Sequence, residues 1–180
     1  RLLGLGYPGG PVIDRLSQHG DEHAVRFPRM RLTHPDRNAP DLPGTRDFSF
    51  SGLKTAVLRH VTARVEALGV DGPASLPDAE RAGIAASFQR VAVETLVDRL
   101  MEAAVDEGAA SVGIAGGVSA NSRLRTVASA RAAALGLPLL IPRVSLSTDN
   151  AAMIAAAGLR RFRAGQFADW NLNAEASLAL

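Results

Sequence analysis

Apolar positions along this chain keep two rhythms. Leu53, Val57, Val61, Val65 and Leu68 recur every three or four residues, the spacing that gives an α-helix one buried face. Ser51 stands where a cap is expected, and Gly69 closes the pattern. Just ahead of it, Phe48 and Phe50 alternate with Ser49 and Ser51, which predicts a short strand. A second helical stripe holds Ile84, Phe88, Val91, Leu96, Leu100 and Met101. It predicts a long helix capped by Asp78, running to about Glu107 and stopped by Gly108.

Beyond Gly108 the pattern alternates. SVGIAGG (111–117) is a short apolar run and predicts a buried strand. Ser119 to Leu135 is a helix with Leu124, Val127 and Ala128 inward, ended by Gly136. LPLLIP (137–142) is the next strand. STDNAAMIAAAGLRRFRAG (147–165) is a helix capped by Ser147, Thr148 or Asp149, with alanines that let neighbouring backbones come close. Ahead of Phe48 the signals weaken. LLGLGYPGGP (2–11) is an apolar run broken by Pro-Gly-Gly-Pro, hence a turn or loop, and Ile13 to Leu16 start a short helix at most. Residues 18–47 are polar, rich in Pro, Arg and Asp, and predict a long irregular excursion with short strands at most. The sequence order argues α/β layering in one domain, residues 1–167, followed by a tail, 168–180, that is either disordered or docked.

Composition narrows the class. At 180 residues, 47% hydrophobic and 21% charged, the chain has the makings of an ordinary soluble core. It does not begin with Met and opens inside what reads as a structured element, so a piece of a longer protein is expected. Without cysteine there is no disulfide and no thiolate metal site. No run reaches membrane-span length and no leader is visible, so the reading is cytoplasmic, with no membrane partner. Net charge is only +2, but it is uneven. Residues 71–110 hold eight acids against three arginines, whereas 111–165 hold seven arginines against Asp149 alone. Such a basic segment attracts phosphates or nucleic acid, or simply solvates helix faces; charge alone fits both.

Chemistry concentrates at glycines. In AGGVSAN (115–121), Gly116 and Gly117 stand where a strand hands over to a helix. Free N–H groups at a helix start attract anions, and a residue without Cβ lets a ligand touch the backbone. Asn121 adds a donor and an acceptor. The same residues also make an ordinary tight turn with an Asn or Ser cap. YPGGPVID (7–14) pairs Gly10 with Asp14 one helical turn on, a carboxylate able to accept from ribose hydroxyls or merely an exposed acid. Asp149 in STDN suits a helix cap, or one ligand of a hard metal. SFSGLKT (49–55) places Lys54 near a helix start but lacks the glycine spacing of a phosphate loop. In HGDEH (19–23), His19 and His23 have zinc-ligand spacing, yet Gly20 replaces the glutamate of a metallopeptidase helix; two surface histidines are expected.

Taken in order, LLGLGYPGGP (2–11), DFSFSGLKTAV (47–57), AGGVSANSRLR (115–125) and TDNAAMIAAAG (148–158) resemble the TsaD family. These are the tRNA N6-adenosine threonylcarbamoyltransferases, formerly described as O-sialoglycoprotein endopeptidases or glycoproteases. GGVSAN and TDNAAMIA are similar to the bacterial branch. The resemblance implies an actin/Hsp70/sugar-kinase-like (ASKHA) fold, with this chain as its C-terminal RNase H-like half carrying a mostly helical insert. It implies transfer of threonylcarbamoyl from threonylcarbamoyl-adenylate to N6 of adenosine 37 in tRNAs reading codons that start with A. Gly10, Asp14 and Asn121 would contact the nucleotide, with Gly116 and Gly117 forming the close-approach turn. Asp149 would bind iron or zinc together with two upstream histidines that His19 and His23 do not match. Implied partners are the tRNA anticodon stem-loop, a paralogous bacterial scaffold protein and a P-loop ATPase of the same pathway. No general base is identified, and the 180 residues alone are expected to be inactive. Ser147 stands where many relatives have Cys. The competing readings are a non-catalytic scaffold paralogue and another nucleotide-binding enzyme of this fold; a peptidase finds no support.

Overall fold

Helix α3 (Asp78–Asp106) is the spine of the larger of two compact units. The computed structural model describes residues 2–29, 48–148, 150–171 and 173. Asp78 and Glu80 sit in the first turn of α3, where acids complement the helix dipole. Its two halves bury different faces. The first half packs Ile84, Ala85 and Val91 against Leu3, Phe27, Leu53, Val57 and Val61. The second packs Val93, Val97, Met101 and Ala104 against Val112, Leu124, Ala128 and Ala132. One long helix thus joins two apolar cores, and each shields the backbone of its own half from water.

Helices α1 (Gly9–Ser17) and α2 (Ser51–Leu68) belong to the first core. Gly69, at φ +62°, ends α2 in the left-handed conformation. In the second core, strand β1 (Val112–Gly113) pairs in parallel with β2 (Leu139–Leu140), in register Val112 to Leu139. Helix α4 (Ser122–Ala134) makes the crossover between them, as a parallel pair requires. The chain divides into two compact units, Arg1–Ser147 and Thr148–Leu180. The second carries α5 (Ala151–Arg163), after which Phe162 and Phe167 meet edge to face at 5.5 Å.

Several expectations need correction. Phe48 and Phe50 form no strand: among the described residues no segment pairs with them, and their rings pack edge to face at 5.4 Å. The Phe50 carbonyl instead accepts the first α2 bond, from Lys54 N–H at 2.9 Å. Gly9 and Gly10 open α1 rather than forming a loop. Pro11 is compatible because the first-turn N–H groups of a helix have no partner within the helix. The helix expected from Ser119 is interrupted. Gly117–Ala120 form a 3-10 turn, Asn121 is extended, and only then does α4 begin. Asp78 is the first helical residue of α3, with Pro77 at the cap position. The cap of α5 is Asn150, whose Oδ1 accepts from Met153 N–H at 3.1 Å, in place of Ser147, Thr148 or Asp149.

Candidate nucleotide site

The turn between β1 and α4 is built from both ends. Gly116 adopts φ +82°, a conformation that side chains resist, and it turns the chain out of the strand. Ser119, fully buried, closes the 3-10 turn by donating its N–H to the Gly116 carbonyl at 3.0 Å. Its Oγ donates to Ser147 Oγ at 2.9 Å, and Ser147 Oγ donates to the Arg143 carbonyl at 3.1 Å. The glycine turn is thereby anchored to the segment that follows β2. Gly116, Gly117 and Val118 stay exposed. Among the described residues no backbone acceptor takes the N–H groups of Gly117 and Val118. Two adjacent N–H groups without a backbone partner, in an exposed turn, can donate to an anion or a carbonyl.

The start of α4 itself is occupied by the protein. Asp14, on α1, accepts from Ser122 N–H at 3.1 Å and from Ser122 Oγ at 2.8 Å. Asn121 Oδ1 accepts from Leu124 N–H at 2.8 Å. Arg123 pairs with Glu22 from the loop after α1. Ligand approach is therefore open at the 3-10 turn, one step earlier than a simple strand-to-helix junction implies. Asp14 and Asn121 both serve as caps here, and each keeps hydrogen-bonding capacity beyond the bonds described.

The structure brings Asp14 and Asn121 together at one end of α4, with Gly116 and Gly117 in the turn just before it. Gly10 lies one turn before Asp14 on α1 and is exposed. A Cβ built at Gly10, Gly116 or Gly117 meets no atom within 4 Å. Asp149 lies outside the described residues. His19 and His23 are exposed in the irregular segment after α1. Among the described residues no three His, Asp or Glu side chains gather as a metal site. Lys54 is exposed at the edge of an apolar cavity of about 200 Å³ lined by Leu3, Ile13, Val57 and Phe88.

The arginines of the basic segment divide. Arg123 and Arg131 pair with Glu22 and Asp98, and Arg125 donates to the Pro142 carbonyl at 2.6 Å. The side chains of Arg143, Arg160, Arg161 and Arg163 make no hydrogen bond or ion pair among the described residues. Two participants were not singled out from the sequence, Ser122 and Gln89. Gln89 Oε1 accepts from Asn121 Nδ2 at 2.9 Å. The available signal was weak: a primary amide inside the apolar stripe of α3.

A glycine turn leading from a parallel strand towards a helix, with a carboxylate from a neighbouring helix at its side, is an arrangement by which α/β proteins can bring an anion against the backbone. The family described as "TsaD: tRNA N6-adenosine threonylcarbamoyltransferase" matches residues 1–156, and the chain belongs to it. Membership implies the ASKHA fold, with which a helix-rich chain and a small parallel sheet agree. Relatives bearing the name tRNA N6-adenosine threonylcarbamoyltransferase include one from Koribacter versatilis (strain Ellin345), 45% identical over 199 residues, covering 100% of this chain and 52% of the relative. The relative from Symbiobacterium thermophilum is 46% identical over 180 residues, covering 100% of this chain and 47% of its own. A third, from Thermosynechococcus vestitus, is 42% identical, with 100% and 48% covered. The chain spans about half the length of the curated relatives it matches. No helix among the described residues is long and apolar enough to cross a membrane.

Proposed function

We propose that these residues form the C-terminal RNase H-like half of an ASKHA-type enzyme, with a mostly helical insert, that makes N6-threonylcarbamoyladenosine at position 37 of tRNAs reading codons that start with A. The observation that carries this reading is the junction of Asp14, Asn121 and the open Gly116–Gly117 turn, in a chain 45% identical to a relative of that name. The adenylate of threonylcarbamoyl-adenylate lies over the turn, where the Gly117 and Val118 N–H groups have no backbone partner among the described residues. Asn121 and Asp14 orient it, and Gly10 leaves room beside it. The carbamoyl carbon is already activated as a mixed anhydride. The exocyclic amine of adenine attacks it and AMP departs, so the protein's main task is to position and to hold the leaving group.

Asp149 is assigned as one ligand of iron or zinc. A single carboxylate does not hold such an ion; about three protein ligands are usual. Among the described residues no cluster of His, Asp or Glu offers the remaining ligands, and two upstream histidines are assigned to complete the site. Bound there, the ion would supply Lewis-acid polarisation of the threonylcarbamoyl group. Unpaired arginines such as Arg160, Arg161 and Arg163 suit contact with tRNA anticodon stem-loop phosphates. A paralogous scaffold protein and a P-loop ATPase are assigned as partners, in the cytoplasm. The test is direct. Full-length protein is incubated with threonylcarbamoyl-adenylate and an unmodified tRNA bearing A37, and the digested nucleosides are analysed by mass spectrometry. Threonylcarbamoyladenosine is the expected product, and none is expected from the 180 residues alone. Unmodified adenosine from the full-length protein under saturating substrate would refute the reading.

A further inference from the structure

Gln89 sits on α3 with only 6% of its surface exposed, lining a small cleft together with Ala86. A primary amide in such surroundings must find partners or destabilise the fold. Its Oε1 accepts from Asn121 Nδ2, while the opposite end of the same Asn121 amide accepts from Leu124 N–H. These two contacts fix the amide's orientation. Rotated by 180°, it would set NH2 against the Leu124 N–H, and it would set oxygen against the Gln89 oxygen unless the Gln89 amide rotated with it. In the observed orientation one N–H of Asn121 remains for a ligand. Without the acceptor at position 89, only the cap bond opposes rotation, and the donor facing the nucleotide is no longer held in place.

We propose that Gln89 is a positioning residue: from α3 it locks the Asn121 amide so that a fixed N–H donor faces the nucleotide. The proposal rests on the reading of Asn121 as a nucleotide contact. Gln89 acts through Asn121, and it also lines a small polar cleft of about 130 Å³ with Glu22, Ser122 and Arg123.

The test uses the full-length protein and AMP as the probe, with affinity from titration calorimetry and folding from thermal melting. Gln89→Met keeps the volume and removes the acceptor; Gln89→Asn keeps the amide but withdraws it by one methylene. Each is expected to weaken AMP binding about tenfold. Gln89→Glu at pH 8 restores an acceptor and is expected to bind within about threefold of wild type. In ¹⁵N spectra, the Asn121 side-chain amide is expected to lose protection from exchange in Gln89→Met and to keep it in Gln89→Glu. A folded Gln89→Met or Gln89→Asn protein that binds AMP as wild type does overturns the role of Gln89, as does a Gln89→Glu protein as impaired as Gln89→Met. A wild-type protein that ignores AMP overturns instead the nucleotide reading of Asn121, and this proposal with it.

Discussion

Two regions meet helix α1 and treat glycine in opposite ways. Where the chain leaves α1 and runs beside α3, a Cβ at Gly20 would lie 2.1 Å from the Ala82 carbonyl oxygen, and one at Gly83 would lie 2.9 Å from the Ala24 methyl. There glycine is demanded by the fold, because backbone packs on backbone. At the rim, Gly10 and Gly117 face open space and lack the left-handed φ that favours glycine. No packing within the described residues explains their lack of a side chain. Gly6, Gly9, Gly72 and Gly158 share that openness, so the lack of a side chain at Gly10 and Gly117 bears on function only under the proposed reading, in which an adenylate comes against the backbone there.

The contrast can be broken by substitution. Gly20→Ala should destabilise the fold by on the order of 3 kcal/mol in urea denaturation, because the clash is with the rigid backbone of Ala82 and Gly83. A change under about 0.5 kcal/mol would show the crossing to be loose. Gly117→Ala should alter stability by less than about 0.5 kcal/mol yet weaken AMP binding to the full-length protein at least about tenfold. Ser119→Ala removes the buried bond to Ser147 and should cost about 1 kcal/mol of stability, with a smaller loss of AMP affinity as the turn loosens. Gly10→Ala, in the first turn of α1, should raise stability by about 0.5 kcal/mol while lowering AMP affinity, the sign reversal that best separates rim from crossing.

The smallest effect concerns pH, away from both regions. Arg64 on α2 donates to Glu80 on α3 at 2.5 Å. That hydrogen bond holds the Glu80 carboxyl below its ordinary value, against the opposing effect of desolvation. A lowered carboxyl in the folded state stabilises above the ordinary carboxylate value, and the contribution is lost as pH falls through the lowered one. The stability difference between wild type and Glu80→Gln should therefore be largest near neutrality and shrink on acidification into that range. A constant difference would show that charge does not join α2 to α3.

Long stripes made much of this legible in advance. α2 and α3 carry enough spaced apolar residues to declare their faces, and the strands after Gly108 are short apolar runs bounded by glycine or proline. Local rhythm failed where tertiary partners decide. Two phenylalanines spaced as in a strand have no strand beside them among the described residues, and Pro-Gly-Gly-Pro starts a helix because its first turn tolerates both residues. The site was legible as separate pieces. Asp14 reaches Ser122 across 108 positions, and Gln89 reaches Asn121 across 32, so nothing local announces either contact.

The decisive measurement is a crystal structure of the full-length protein with a non-reactive analogue of threonylcarbamoyl-adenylate. An adenylate within hydrogen-bond distance of the Gly117 or Val118 N–H, with Asn121 at its side, is the expected result. An adenylate bound elsewhere, with that turn still facing water, would contradict it.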